Sequence, residues 1–228
     1  MSDTYSRQPV KTSIELQRQF PGLRVLPLTK YVAHLLKIDS HKALNGDGSC
    51  SLANMETSCF ASEFCAEGNM PSMKLDSLIH SEFAFVAVID EPCEQPNNTI
   101  FKFVGCVSAN RMQSAIASMF PSQQELHTPN RWVISNLCVS VAHRNCGAGR
   151  LLLSTITNAI YKKYSTHPTV HIHLLVMHHK DNDDIETKTV LGNRVARLTQ
   201  TYTALSFKLL GLATNGQYLL FQYNKPCS

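Results

Sequence analysis

No run of eighteen apolar residues occurs in this chain, which excludes a helical membrane span. Met1 to Lys11 is polar and holds no signal-peptide core, so a cytoplasmic setting is expected. The eight cysteines (50, 59, 65, 93, 106, 138, 146 and 227) show no paired zinc spacing. With no secretory signal they read as reduced thiols rather than a disulfide framework, and the sequon at Asn97 reads as unused. No acidic residue stands between Glu125 and Asp181. The charges from 126 to 180 are Arg131, Arg144, Arg150, Lys162, Lys163 and Lys180, all positive. Such a stretch suits a ligand carrying several phosphates. The basic residues form no stripe with interleaved aromatics, so nucleic acid ranks well below a phosphorylated small molecule.

What is present is a globular composition: 228 residues, 43% hydrophobic, net charge +4. A chain of that length buries roughly 70% of its unfolded surface as one domain. Its most informative run is 137–153, Leu-Cys-Val-Ser-Val-Ala-His-Arg-Asn-Cys-Gly-Ala-Gly-Arg-Leu-Leu-Leu. An apolar strand ends, an Arg-x-x-Gly-x-Gly turn follows, and an apolar helix begins at once. Backbone N–H groups at a helix N-terminus, in its partial positive charge, favour a phosphate. Gly147 and Gly149 allow close backbone approach and dihedrals that a Cβ forbids. Asn145 is the best non-glycine residue for a left-handed position. No Gly-Lys-Ser/Thr follows, and position 152 is Leu, so neither a Walker loop nor a dinucleotide fingerprint fits.

The run resembles motif A of the GCN5-related N-acetyltransferase (GNAT) superfamily, whose Arg/Gln-x-x-Gly-x-Gly/Ala loop holds the pyrophosphate of acetyl-CoA. Arg144, Gly147 and Gly149 match that loop, and Leu137 and Val139 match its preceding Leu-x-Val strand. The resemblance implies acetyl-CoA as cosubstrate and a cofactor site of Leu137, Cys138, Val139, Arg144, Asn145, Cys146, Gly147, Ala148, Gly149 and Arg150. It implies a mixed α/β (α+β) fold, a central, mostly antiparallel sheet of six to seven strands with helices on both faces. A GNAT-like module that holds acyl-CoA or a protein partner without turnover is the second reading. An amine acceptor, small molecule or peptide, is the implied partner, with a homodimer left open.

The order of elements agrees with that resemblance. Strands are expected at 23–28, 82–89, 99–108, 132–139, 171–177 and 217–223, the second and third forming a hairpin around a turn at 92–98. Thr29 is placed to cap a helix carrying Val32, Leu35 and Leu36, and a further helix is expected near 52–64. A short helix is expected at 113–120. A longer one over 149–164 bears the stripe Leu152, Leu153, Ile156, Ile160 and Tyr164. Residues 181–188 read as a charged loop, and 193–205 as a helix. The chain reads as one domain over 1–228, with 1–20 poorly ordered and connections at 45–80 and 111–130 walling the acceptor site.

For chemistry, an acyl thioester and an amine need a positioned carbonyl, a neutral amine and a proton for the departing thiolate. The resemblance implies a tyrosine donor in a Tyr-x-x-x-Gly-Phe segment; here Tyr202 to Phe207 fits, with Ser206 in place of glycine. A carboxylate base is common on the strand before the loop, yet 132–140 has none. Ser135 and Asn136 are polar there without being bases, and Glu82, Glu125 and His127 are candidate substitutes. Asn193 stands two residues away from the position of a frequent family asparagine, so either the helix starts differently or Asn193 is only its cap. Direct transfer is preferred over a thiol route through Cys138 or Cys146. His171, His173 and His179 share a strand parity that could ligate a metal, but no metal is assigned.

Overall fold

The computed structural model describes residues 22–29, 78, 80–91, 100–139, 143, 146–167, 169–177 and 188–225. The helices expected before residue 77 and the turn at 92–98 lie outside these residues, as do Arg144, Asn145, His179 and loop residues 181–187. Among the described residues, seven strands form one mixed sheet in the order β1-β2-β3-β4-β5-β7-β6. They are β1 Leu23–Pro27, β2 Phe83–Glu91, β3 Ile100–Arg111, β4 Arg131–Val139, β5 His171–Met177, β6 Phe207–Leu212 and β7 Tyr218–Tyr223. Only β4 and β5 are parallel; every other neighbouring pair is antiparallel. That parallel pair needs a crossover, which the helix Ala148–Lys163 supplies. A short helix α1 (Ser114–Ala117) and a 3₁₀ turn (Gln124–His127) join β3 to β4. Helices α2 (Ala148–Lys163) and α3 (Lys188–Thr203) follow β4 and β5.

Strand alternation assigns the faces. Trp132 and Ile134 of β4, Ile172 and Leu174 of β5, and Leu219 and Phe221 of β7 join Leu152, Leu153, Ile156 and Ile160 of α2 in one core. Val195, Leu198 and Tyr202 of α3 pack against the same core. The opposite face carries a smaller cluster in which Ala117, Phe120 and Leu126 cover Leu220 and Leu175. Helical structure therefore covers both faces, as expected. Each fully buried aliphatic chain of α2 contributes about 1.5–3 kcal/mol by transfer from water. Tyr164 lies just past the helix, its ring stacked on Trp132 with centroids 4.9 Å apart.

The seventh strand, β6, is the element that apolar patterning does not announce. Its run Phe-Lys-Leu-Leu-Gly-Leu lacks alternation because Leu210 is an extra residue, inserted between the pairs Leu209↔Phe221 and Gly211↔Leu220. Helix α3 begins at Lys188, five residues before the expected start, and yields to a turn at 204–206. Ser206 in that turn has φ 67°, a left-handed conformation in which an L side chain is strained. The structure thus explains why glycine is usual at this place in the resembled segment. Ser206→Gly is expected to raise stability by about 0.5–1 kcal/mol, the strain relieved less the greater entropy of an unfolded glycine. A thermal melt of the two proteins measures it, and a lower Tm for the glycine variant contradicts it.

Candidate active site

The site grows from an irregularity in β4. Ser108 faces Asn136 and Ala109 faces Ile134, so Ser135 is a bulged residue with no partner on β3. The parallel pairing with β5 ends at the same place, its last pair being Ile134↔Leu174. From there β4 runs on to Val139 with β3 as its only strand neighbour, while β5 runs on to Met177 beside β7. Beyond Ser135 the sheet therefore forks. Burial follows the geometry: residues 131–134 are all buried, and Ser135, Asn136 and Leu137 are half-buried. Asn136 donates to the Ser108 hydroxyl at 2.8 Å, which anchors the strand just past the bulge.

Gly105 sets the height of β4 at the fork. A Cβ on it would lie 2.5 Å from the Cys138 carbonyl oxygen and 3.2 Å from Leu152 Cδ1. Only glycine lets β3, β4 and α2 approach so closely, and the motif reading did not single it out. Gly105→Ala is expected to cost about 1–3 kcal/mol through overpacking and to displace β4 at Cys138. Chemical denaturation checks the cost, and an unchanged midpoint contradicts it.

At the end of the fork the chain turns into α2. Gly147 is the N-cap residue with φ 86° and ψ 0°, and its carbonyl accepts the first helical hydrogen bond from Leu151 at 3.0 Å. No side chain caps the helix and its first turn holds no acid, whereas Lys162 and Lys163 occupy its last turn. Only the lysines at the C-terminal end complement the helix dipole, and the N-terminal turn is left positive and uncompensated. Gly149 behaves differently from expectation. It is the second residue of the helix, without positive φ, and a Cβ on it would meet only ordinary contact, 3.5 Å from Val139 Cγ2. The conformational demand falls on Gly147.

The other expected residues divide clearly. Leu137 and Val139 lean on the α2 core, and Cys138 is buried on the opposite face. The Cys138 thiol hydrogen-bonds Cys106, its partner across β3 and β4, and that contact together with burial pushes the Cys106 thiol well up. The Cys146 thiol donates to the His143 backbone carbonyl, a use opposite to that of a nucleophilic thiolate. Ala148 is buried and Arg150 exposed in the first turn of α2. Asn193 lies within α3, five residues after its start, and is therefore not its cap.

Tyr202, near the end of α3, lies over β7 and β6. Its ring packs on Phe221 of β7 at 5.1 Å and on Phe207 of β6 at 6.5 Å. Burial, with a smaller electrostatic contribution from Cys138 on β4, pushes its phenol up to about 12. The hydroxyl stays protonated at every physiological pH.

The candidate bases are elsewhere. Glu82 immediately precedes β2, which β3 separates from β4 in the sheet. It accepts from Lys163 at 3.2 Å and from the Tyr164 hydroxyl, with Arg111 at 3.9 Å. Glu125 pairs with Arg131 at 3.5 Å, and His127 is exposed in the 3₁₀ turn. His171 and His173 do share one face of β5, but among the described residues no three ligand-type side chains gather as for a metal. Among these residues no helix is long and apolar enough to cross a membrane.

No protein-family model matches this chain, and no curated protein does. Solved acetyltransferase structures are similar to it. The aminoglycoside 6'-N-acetyltransferase from Enterococcus faecium shows 12% identity and a TM-score of 0.46, over 90% of this chain and 99% of that one. A putative acetyltransferase of the GNAT family from Desulfovibrio desulfuricans shows 9% identity and 0.45, over 89% and 98%. Nourseothricin acetyltransferase shows 20% identity and 0.38, over 63% of this chain, which spans 65% of that one.

Proposed function

We propose that this chain is a GNAT-superfamily N-acetyltransferase that passes an acetyl group from acetyl-CoA directly to a primary amine of a small molecule or peptide. The observation that carries the reading is the left-handed Gly147 cap. It sets the uncapped N-terminus of α2 at the end of β4, the strand that forks from β5. In this reading the N–H groups of Ala148, Gly149 and Arg150, with Cys146, Asn145 and Arg144, hold the pyrophosphate. The β4 edge at Leu137, Cys138 and Val139 lies where a pantetheine arm can add to the sheet as a strand does. The bound cosubstrate supplies an acyl thioester. Tyr202, kept neutral by burial, gives its proton to the departing sulfur.

Calorimetric titration with acetyl-CoA, followed by thiol release with spermidine, tryptamine and a lysine peptide, tests this function. Saturable binding with thiol release is expected. Absence of CoA binding overturns the reading. Binding without release for any amine favours the non-catalytic acyl-CoA module, which the lack of a carboxylate on β4 motivates.

A further inference from the structure

Among the described residues, two buried polar atoms on the sheet face away from α2 have no hydrogen-bond partner: His173 Nε2 and Arg131 Nη1. His173 is fully buried. Its Nδ1 lies 3.3 Å from the Trp132 carbonyl oxygen, which can only accept, so Nδ1 carries the hydrogen. Nε2 therefore presents a lone pair. Leaving such an acceptor buried and unused is costly, and buried polar groups in folded proteins are nearly always satisfied. Arg131 is differently placed, since Nε donates to Thr128 at 2.7 Å and Nη2 faces Glu125. His171 is also occupied, its Nδ1 accepting from the Gln222 amide at 3.2 Å.

The position of His173 gives the lone pair a use. It pairs with Val133 one residue before Leu174, where β4 and β5 part, and so lies one strand step from the fork. Burial, and next the charge of Arg131, hold its imidazole down to about 4, so it is neutral at pH 7.

We propose that His173 is the acceptor subsite: Nε2 accepts a hydrogen bond from the incoming primary amine and takes the proton that its nitrogen must lose. This rests on the acetyltransferase reading above. The C–N bond forms and the C–S bond breaks. The surplus proton of the nitrogen goes to Nε2, and the sulfur takes its proton from Tyr202. Solvent then deprotonates the imidazolium and reprotonates the phenolate. A weakly basic imidazole cannot strip an ammonium ion, so the acceptor enters as the free amine. It suffices after attack, because an acylated nitrogen that keeps its extra proton is strongly acidic.

The test uses trifluoroethylamine, a minimal primary amine that is mostly neutral at neutral pH. His173→Asn keeps a donor for the Trp132 carbonyl and removes the acceptor at Nε2, whereas His173→Gln restores an amide near it. The Asn variant is expected to lose about 100-fold in amine kcat/KM. Its acetyl-CoA Kd should stay within about twofold, with the Gln variant partly recovering. An Asn variant that binds acetyl-CoA and keeps full amine kcat/KM overturns the assignment and leaves a water-filled or purely structural site. Should either variant not fold, the wild-type protein decides. With CoA present, the ¹⁵N resonance of His173 Nε2 is expected to shift on adding the amine, and an unmoved resonance overturns the proposal. Failure of the wild type to bind acetyl-CoA overturns the acetyltransferase reading and this one with it.

Discussion

Gly147→Val is expected to abolish measurable acetyl-CoA binding in a protein that still folds. At φ 86° and ψ 0° the residue sits where a β-branched side chain is a strong outlier. Two costs follow. Holding that conformation strains the chain by about 1–2 kcal/mol, a tolerable loss of stability. Escaping it rotates the peptide leading into Ala148 and turns the N–H groups of the first turn away from their common point. Hydrogen bonds to a charged group are worth about 1.5–3 kcal/mol each. Losing two therefore weakens binding by about 100- to 10,000-fold. Gly149→Ala is the matched control, since its Cβ meets Val139 at 3.5 Å and needs no unusual backbone. Its effect should stay below about tenfold. Calorimetry and a melt on both variants separate binding from folding, and a Gly147→Val Kd within threefold of wild type sinks the role assigned to this residue.

The contrast between these glycines shows what could be read from residues alone. The motif placed both at one turn, yet only backbone geometry separates the left-handed Gly147 from the helical Gly149. Strands β2, β4, β5 and β7 were legible because buried apolar runs bounded by turns state their own identity. The stripe Leu152, Leu153, Ile156 and Ile160 was legible for the same reason, and all four are buried. Edge strand β6 was hidden because a bulge breaks its alternation, and an edge needs only one good face. Gly105 and His173 were hidden differently. A close approach between β3 and β4, or an unused lone pair one residue from a fork, is a relation between strands far apart in the chain. Parity with His171 gives His173 the look of a metal ligand, but the hydrogen bond to the Trp132 carbonyl oxygen is what defines its chemistry. Ser206 ran the other way, since a departure from the motif became intelligible once its φ was known.

Tyr202→Phe should lower kcat by about 100-fold while leaving acetyl-CoA affinity within about twofold. Phenylalanine keeps the ring contacts with Phe207 and Phe221, so the packing of α3 against β6 and β7 survives. Only the hydroxyl is lost. The effect therefore belongs in the chemical step, where a leaving thiolate without a proton donor is a poorer leaving group. Burial and the neighbouring Cys138 raise the phenol to about 12, and the direction matters for the pH profile. The active form is the protonated one, and raising the pKa extends its range upward. Tyr202 thus contributes no falling alkaline limb to kcat until pH approaches 12, beyond the range in which the protein is assayed. The rate should instead rise with pH as the acceptor amine loses its ammonium proton, and then level. Steady-state kinetics of both proteins across neutral to alkaline pH test this. A limb near pH 10 that vanishes in the Phe variant shows an unshifted phenol. An unchanged kcat removes Tyr202 from the mechanism, leaving the fork to stabilise the thiolate through backbone N–H groups alone.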